Sequence, residues 1–186
     1  MLEKAYGQLQ EGLFEDAAQI FSDCLLMEPN QAKCYYGRGM ARFNLKQWGP
    51  AVLDFQKARE LNPEDPESSL ALGMSLAADS QVYEAIEVFE RLLAAQPKYI
   101  RAHLRLAHLY YRLGSISKGH QQLDLAMAAR PSLSERKEVE AMKNEQLELD
   151  KKRYHRPDFE LLRKQNQLSV PSGFVKILKR WFGKNG

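Results

Sequence analysis

Four prolines, Pro29, Pro63, Pro97 and Pro131, stand 34 residues apart, and no other feature of the chain restricts its fold so tightly. A period of this length means one supersecondary unit in tandem, because each unit must bury its apolar face on its neighbour. Other columns keep the same step. Ala5, Gly39, Gly73 and Ala107 share one; Ala17, Ala51, Ala85 and Gly119 share a second; Phe21, Phe55, Phe89 and Leu123 share a third, four residues after the second. Small residues in two columns and a large apolar one in the third predict two closely approaching helices per unit, with the large side chain filling their joint.

In the second unit one helix is expected near Ala32 to Leu45 and the other from Pro50 to Leu61. Pro50 suits a first turn, where an N–H has no intrahelical partner to lose. Asp65, ahead of Pro66, is expected as an N-cap. Gly12 and Gly114 fall at the bend inside a unit, where φ > 0 is easiest for glycine.

The stretch QAKCYYGRGMARFNLKQWGPAVLDFQKARELNP, Gln31 to Pro63, resembles the tetratricopeptide repeat (TPR), whose pattern is W-x2-L-G-x2-Y, then A-x3-F, then P. Tyr35 takes the tryptophan slot, Gly39 the glycine, Ala51 the alanine, Phe55 the phenylalanine and Pro63 the proline. The third unit carries Leu72, Gly73, Ala85, Phe89 and Pro97, and the fourth Leu106, Ala107, Tyr110, Ala126 and Pro131. The first reads as abbreviated, with Met1 in the tryptophan slot and Ala5, Ala17, Phe21 and Pro29 in place. Arg38 and Arg42 for leucine and tyrosine, Ser69 for tryptophan and Gly119 for alanine depart from the pattern. The resemblance covers residues 1–131. It implies an all-α fold, an α-solenoid of antiparallel helix pairs forming a right-handed superhelix. A charged capping helix at 132–156 and a basic C-terminal segment at 157–186 are expected to follow.

In this family the first helices of successive repeats line a concave face. By slot, that implies peptide contacts from Tyr36, Met40, Phe43 and Asn44, from Leu70 and Met74, and from Arg101, Leu104, Arg105, His108, Tyr111 and Arg112. Leu2, Tyr6, Leu9, Gln10, Ala77 and Ala78 extend the same surface. Methionines and aromatics with a cationic end suit an amphipathic helix or an extended segment bearing an acid. TPR co-chaperones grip the C-terminal carboxylate of Hsp70 and Hsp90 with Lys, Asn and Arg from three repeats. Arg101 and Arg105 fit the last pair of that grip, but Tyr36, Met40 and Ala71 hold the earlier slots. The resemblance therefore implies a non-enzymatic adaptor or scaffold with a protein partner; the alternative is a chaperone for exported or newly made subunits, like the small TPR chaperones of type III secretion.

Composition narrows this further. Residues 1–131 hold 14 Lys/Arg against 16 Asp/Glu, whereas residues 151–186 hold 10 against 2. The basic end calls for an anionic partner. Within FVKILKRWFGKNG, a helical projection puts Phe174, Val175, Ile177, Leu178, Trp181 and Phe182 on one face and Lys176, Lys179, Arg180 and Lys184 on the other. Such a segment, behind a hinge at SVPSG, suits docking to a membrane surface or a partner, or folding back on its own repeats. Nucleic acid is disfavoured, since no base-stacking platform is interleaved with the charges. Ser134 to Tyr154 is highly charged and helix-prone, with Val139, Met142 and Leu149 as a thin apolar stripe. No catalytic constellation, cofactor motif or metal-ligand spacing is present; His103, His108, His120 and His155 are scattered. Cys24 and Cys34 read as packed intracellular thiols. The N-terminus shows no leader, so a cytoplasmic protein, peripheral to a membrane through its tail, is expected.

Overall fold

The structure is a computed structural model that describes residues 1–153. It divides into two compact units, Met1–Asn144 and Glu145–Gly186, the second described as far as Arg153. The described residues form nine helices and no strand. Eight of them pair off in chain order: α1 (Leu2–Glu11) with α2 (Phe14–Met27), α3 (Ala32–Asn44) with α4 (Trp48–Leu61), α5 (Pro66–Ala78) with α6 (Val82–Ala95), and α7 (Ile100–Arg112) with α8 (Ile116–Ala128). The ninth, α9, runs Leu133–Arg153.

From α1 to α8 each helix packs on the next in sequence. In addition α1 touches α3, α3 touches α5 and α5 touches α7, whereas among the described residues no second helix of a pair touches another second helix. The first helices thus form the inner layer and the second helices fan outward. That arrangement gives the face built from α3, α5 and α7 its concavity.

The bend inside every pair has one geometry. Gly12, Lys46, Ser80 and Gly114, each 34 residues from the next, have φ of 79°, 60°, 65° and 72°. The residue after each donates its N–H five residues back: Leu13 to Gln8, Gln47 to Arg42, Gln81 to Leu76 and Ser115 to Tyr110, at 2.8 to 2.9 Å. This is the left-handed C-terminal turn that satisfies orphaned helix carbonyls. Between pairs, Glu28, Asn62 and Gln96 adopt φ near −131° to −139° just before Pro29, Pro63 and Pro97. A following proline disfavours the helical backbone, and the helix ends. The fourth junction departs from this: α8 stops at Ala128, and Arg130, ahead of Pro131, has φ 59°.

The columns meet as their sizes require. Phe21, Phe55, Phe89 and Leu123 are at most 1% exposed. A Cβ placed on Gly39 would lie 2.8 Å from the Phe55 ring, and one on Gly73 2.5 Å from the Phe89 ring. Glycine therefore lets the ring reach the helix backbone, and Gly39, Ala51, Gly73, Ala85, Ala107 and Ala126 are all buried. Where the fourth repeat has Gly119 and Leu123, Tyr111 fills the space, its ring on Gly119 and its hydroxyl 3.0 Å from His120 Nδ1. His103 occupies the tryptophan slot, buried between the Pro97 carbonyl and Gln122 Oε1 at 3.0 and 2.8 Å.

Arg38 and Arg42, the two departures in the second repeat, share one explanation. Both reach Asp54, which is 2% exposed: Arg38 Nη2 donates to Oδ1 and Arg42 Nη1 to Oδ2, each at 2.7 Å. Arg38 Nε adds bonds of 3.2 and 3.1 Å to the same carboxylate. An ion triad replaces the apolar packing of the pattern.

Two expectations are corrected. Cys24 and Cys34 are joined as a disulfide, with Cα atoms 6.5 Å apart. Their ten-residue spacing runs from the last turn of α2 across the Pro29 junction to the first turn of α3, so the stacking of two repeats brings them together. On α9, Val139 is fully buried and Met142 half-buried, packed with Ile100, Leu104, Ala107, Leu123 and Ala126, but Leu149 is 50% exposed. Ser132 and Glu135 open α9 with a reciprocal capping box: Glu135 Oε2 accepts from Ser132 N at 2.9 Å and from its hydroxyl at 2.7 Å.

Candidate peptide-binding groove

On the inner layer α3, α5 and α7 converge on a cleft of about 80 Å³ lined by Tyr36, Met40, Phe43, Phe55, Glu67, Leu70, Ala71, Met74 and Arg101. Helical spacing explains the convergence: Tyr36, Met40 and Phe43 stand at i, i+4 and i+7 on α3, and Leu70 and Met74 at i and i+4 on α5. The walls are braced from behind. Tyr36 meets the buried Phe55 ring edge to face at 5.7 Å, and Phe43 meets Trp48 at 5.1 Å. A larger open hollow, about 790 Å³, lies along α8, but its described lining comes from that one helix and gathers no convergent polar groups.

One rim of the cleft is ionic. Glu67 accepts from Arg101 Nη1 through both oxygens, at 2.6 and 2.8 Å, and from the Tyr99 hydroxyl at 2.5 Å. Burial first, then the bond to Glu67, pushes the Tyr99 phenol well above its usual range. Tyr36 is raised as well, by burial and then by the carboxylates of Glu67 and Asp65. Lys33, Glu67, Arg101 and Glu135 occupy one slot of successive repeats, 34 residues apart and alternating in sign.

The residues read from the sequence separate into three groups. Tyr36, Met40, Phe43, Leu70, Met74 and Arg101 come together at the cleft, Leu70 as its floor at 1% exposure. Asn44, Arg105, His108 and Arg112 are exposed, the Asn44 amide donating to the Met40 carbonyl at 2.8 Å. Leu104 lies in the core at 3% exposure, and Tyr111 is turned onto α8. Phe174, Lys176, Ile177, Leu178, Lys179, Arg180, Trp181 and Phe182 lie outside the described residues. Reading by slot missed Glu67 and Tyr99; the alternating charges at 67 and 101 were the available signal for the first. Among the described residues no group of three His, Cys, Asp or Glu is placed to hold a metal ion, and no helix is long and apolar enough to cross a membrane.

Two models of the tetratricopeptide repeat match the chain, over residues 36–100 and 76–142. The chain belongs to the tetratricopeptide-repeat family. Relatives of this TPR chain include a TPR repeat-containing thioredoxin of Arabidopsis thaliana, 31% identical over 85 residues, and a peroxisomal targeting signal receptor of Kluyveromyces lactis, 29% identical over 92. These matches cover 46% and 50% of the chain but only 12% and 16% of the relatives, so it spans a small part of their length. MamA from Desulfovibrio magneticus RS-1 superposes with a TM-score of 0.66 at 19% identity, over 69% of this chain and 73% of that one. The first TPR of Spaghetti (RPAP3), bound to an HSP90 peptide, gives 0.57 at 23% identity, over 60% and 89%.

Proposed function

We propose that this TPR chain is a non-enzymatic adaptor that holds a peptide or helix of a partner protein on its concave face. The observation that carries the reading is the cleft shared by three repeats, with half-buried Tyr36, Met40, Phe43 and Met74 on its walls and the exposed Arg105 and Arg112 beyond its rim. Similarly folded TPR domains of RPAP3 are bound to HSP90 and HSP70 peptides, which supports a protein ligand. At about 80 Å³ the cleft suits one anchoring side chain, which favours an adaptor for a defined motif over a chaperone taking apolar segments broadly. Affinity capture with the parent and with Arg105→Glu and Met74→Lys tests this. Both variants should lose the captured partner at unchanged helical content and melting temperature, and retention by both would remove the groove from consideration.

The composition of residues 174–184 supports a second, separable role for the tail as a reversible anchor at an anionic membrane surface. Each Lys or Arg near such a surface is worth about 1 kcal/mol. The intact protein should float with anionic vesicles, much less with neutral ones, and not at all when truncated after Val170. Flotation independent of lipid charge would refute an electrostatic anchor.

A further inference from the structure

We propose that Glu67 is a built-in counter-ion that withdraws Arg101 from partner recognition, so that the groove selects a segment with one apolar anchor and carboxylates placed further along α7, at Arg105 and Arg112. This rests on the groove reading above and specifies its partner.

Arg101 is half exposed and stands at the cleft, where it would be the first cation to meet an acidic ligand. It is already engaged. Glu67 brings both carboxylate oxygens to Arg101 Nη1, and Tyr99 holds Oε1 in place at 2.5 Å. The next acid in the same slot, Glu135, also lies within the field of Arg101. A carboxylate tethered beside its cation competes with any ligand at high effective concentration. An arriving acid would have to displace Glu67 or share one guanidinium with it, and like charges at that distance repel.

Arg105 and Arg112 differ. Both are exposed, and neither makes a hydrogen bond or ion pair with a described residue. Helix α7, IRAHLRLAHLYYR, contains no acid to neutralise them. At 1.5 Å rise per residue they lie about 6 and 16 Å beyond Arg101 along the axis, on the same face. The groove is therefore charge-neutral where the apolar anchor enters and cationic one to three turns further on. A segment with its acids next to the anchor meets a closed pair, whereas one with acids set back meets open arginines.

A random peptide display library selected on the folded parent supplies the probe, and fluorescence polarisation of the strongest acidic peptide supplies the measurement. Arg101→Gln should change affinity less than about twofold, whereas Arg105→Gln and Arg112→Gln should each weaken it about fivefold. Glu67→Gln should strengthen binding about fivefold and admit peptides whose acid adjoins the apolar residue. Met74→Lys should stop binding, with Met40→Ala as a milder groove variant should the first not fold. If Met74→Lys stops binding but Glu67→Gln brings no gain, or Arg101→Gln weakens as much as Arg105→Gln, the counter-ion role is wrong and the groove stands. If the parent selects no peptide, or both groove variants bind as the parent does, the groove reading falls and the counter-ion role with it.

Discussion

Asp54 shows how single residues override a repeat pattern. It is a carboxylate in the interior with two arginines on it, and desolvating those charges offsets much of their attraction. Removing one member leaves the others without a partner, so Asp54→Ala should cost about 3–5 kcal/mol in urea unfolding. Phe55→Ala, which empties a fully buried aromatic site, should cost about as much, 3–5 kcal/mol, through lost transfer energy and the cavity left behind. A charged but exposed residue such as Arg91 should be nearly silent. Tyr110 is a different case, because its phenol is pushed up to about 12 by burial and by donating to Glu90 Oε1 at 2.8 Å. The folded chain holds the phenol proton more tightly than the unfolded chain does. Its contribution to stability is therefore whole below pH 10 and is lost between pH 10 and about 12, as unfolded chains ionise first. Tyr110→Phe should flatten that part of the stability profile, as followed by circular dichroism.

At the scale of elements, α4 opens at Trp48 rather than at Pro50, and the Pro131 junction departs from the other three. The helix pairs and their small-residue columns were nonetheless legible, because each has a steric cause written into residue type. Asp65 is a case in point: it accepts from the N–H groups of Glu67 and Ser68 at 3.2 and 3.1 Å, as its place before Pro66 requires. Asp65→Ala should cost about 1 kcal/mol. The bends were only half legible. Glycine marked them at Gly12 and Gly114, but Lys46 and Ser80 adopt the same left-handed backbone without announcing it, since packing of the pair imposes the turn. Gly114→Ala should cost about 1–2 kcal/mol, the usual penalty for a Cβ in that region. The groove divides likewise. Slot and helical spacing found its apolar walls, but a slot does not say whether an arginine is free or paired. Arg101 stands at the cleft as its slot implied, but the slot did not show its pair with Glu67 one repeat away, nor that Tyr111 lies against Gly119 of α8.

Across the stacked repeats, stability is a chain of neighbour contacts. The Cys24–Cys34 link ties the first repeat to the second. Reduction should lower stability by about 2–3 kcal/mol, as expected for a short closed loop, and should act first on α1 and α2. Loss of amide protection there, ahead of α5 and α6, would confirm the order. A Cys34→Ala variant should no longer respond to reductant.

The alternating slot of Lys33, Glu67, Arg101 and Glu135 bears on how such a chain can be edited. Excising residues 66–99 would keep every proline, glycine and phenylalanine in step, so packing alone would accept the splice. The charges would not: Lys33 would be followed by Arg101, cation upon cation. Repeats that look interchangeable by shape are thus told apart from their immediate neighbours by sign.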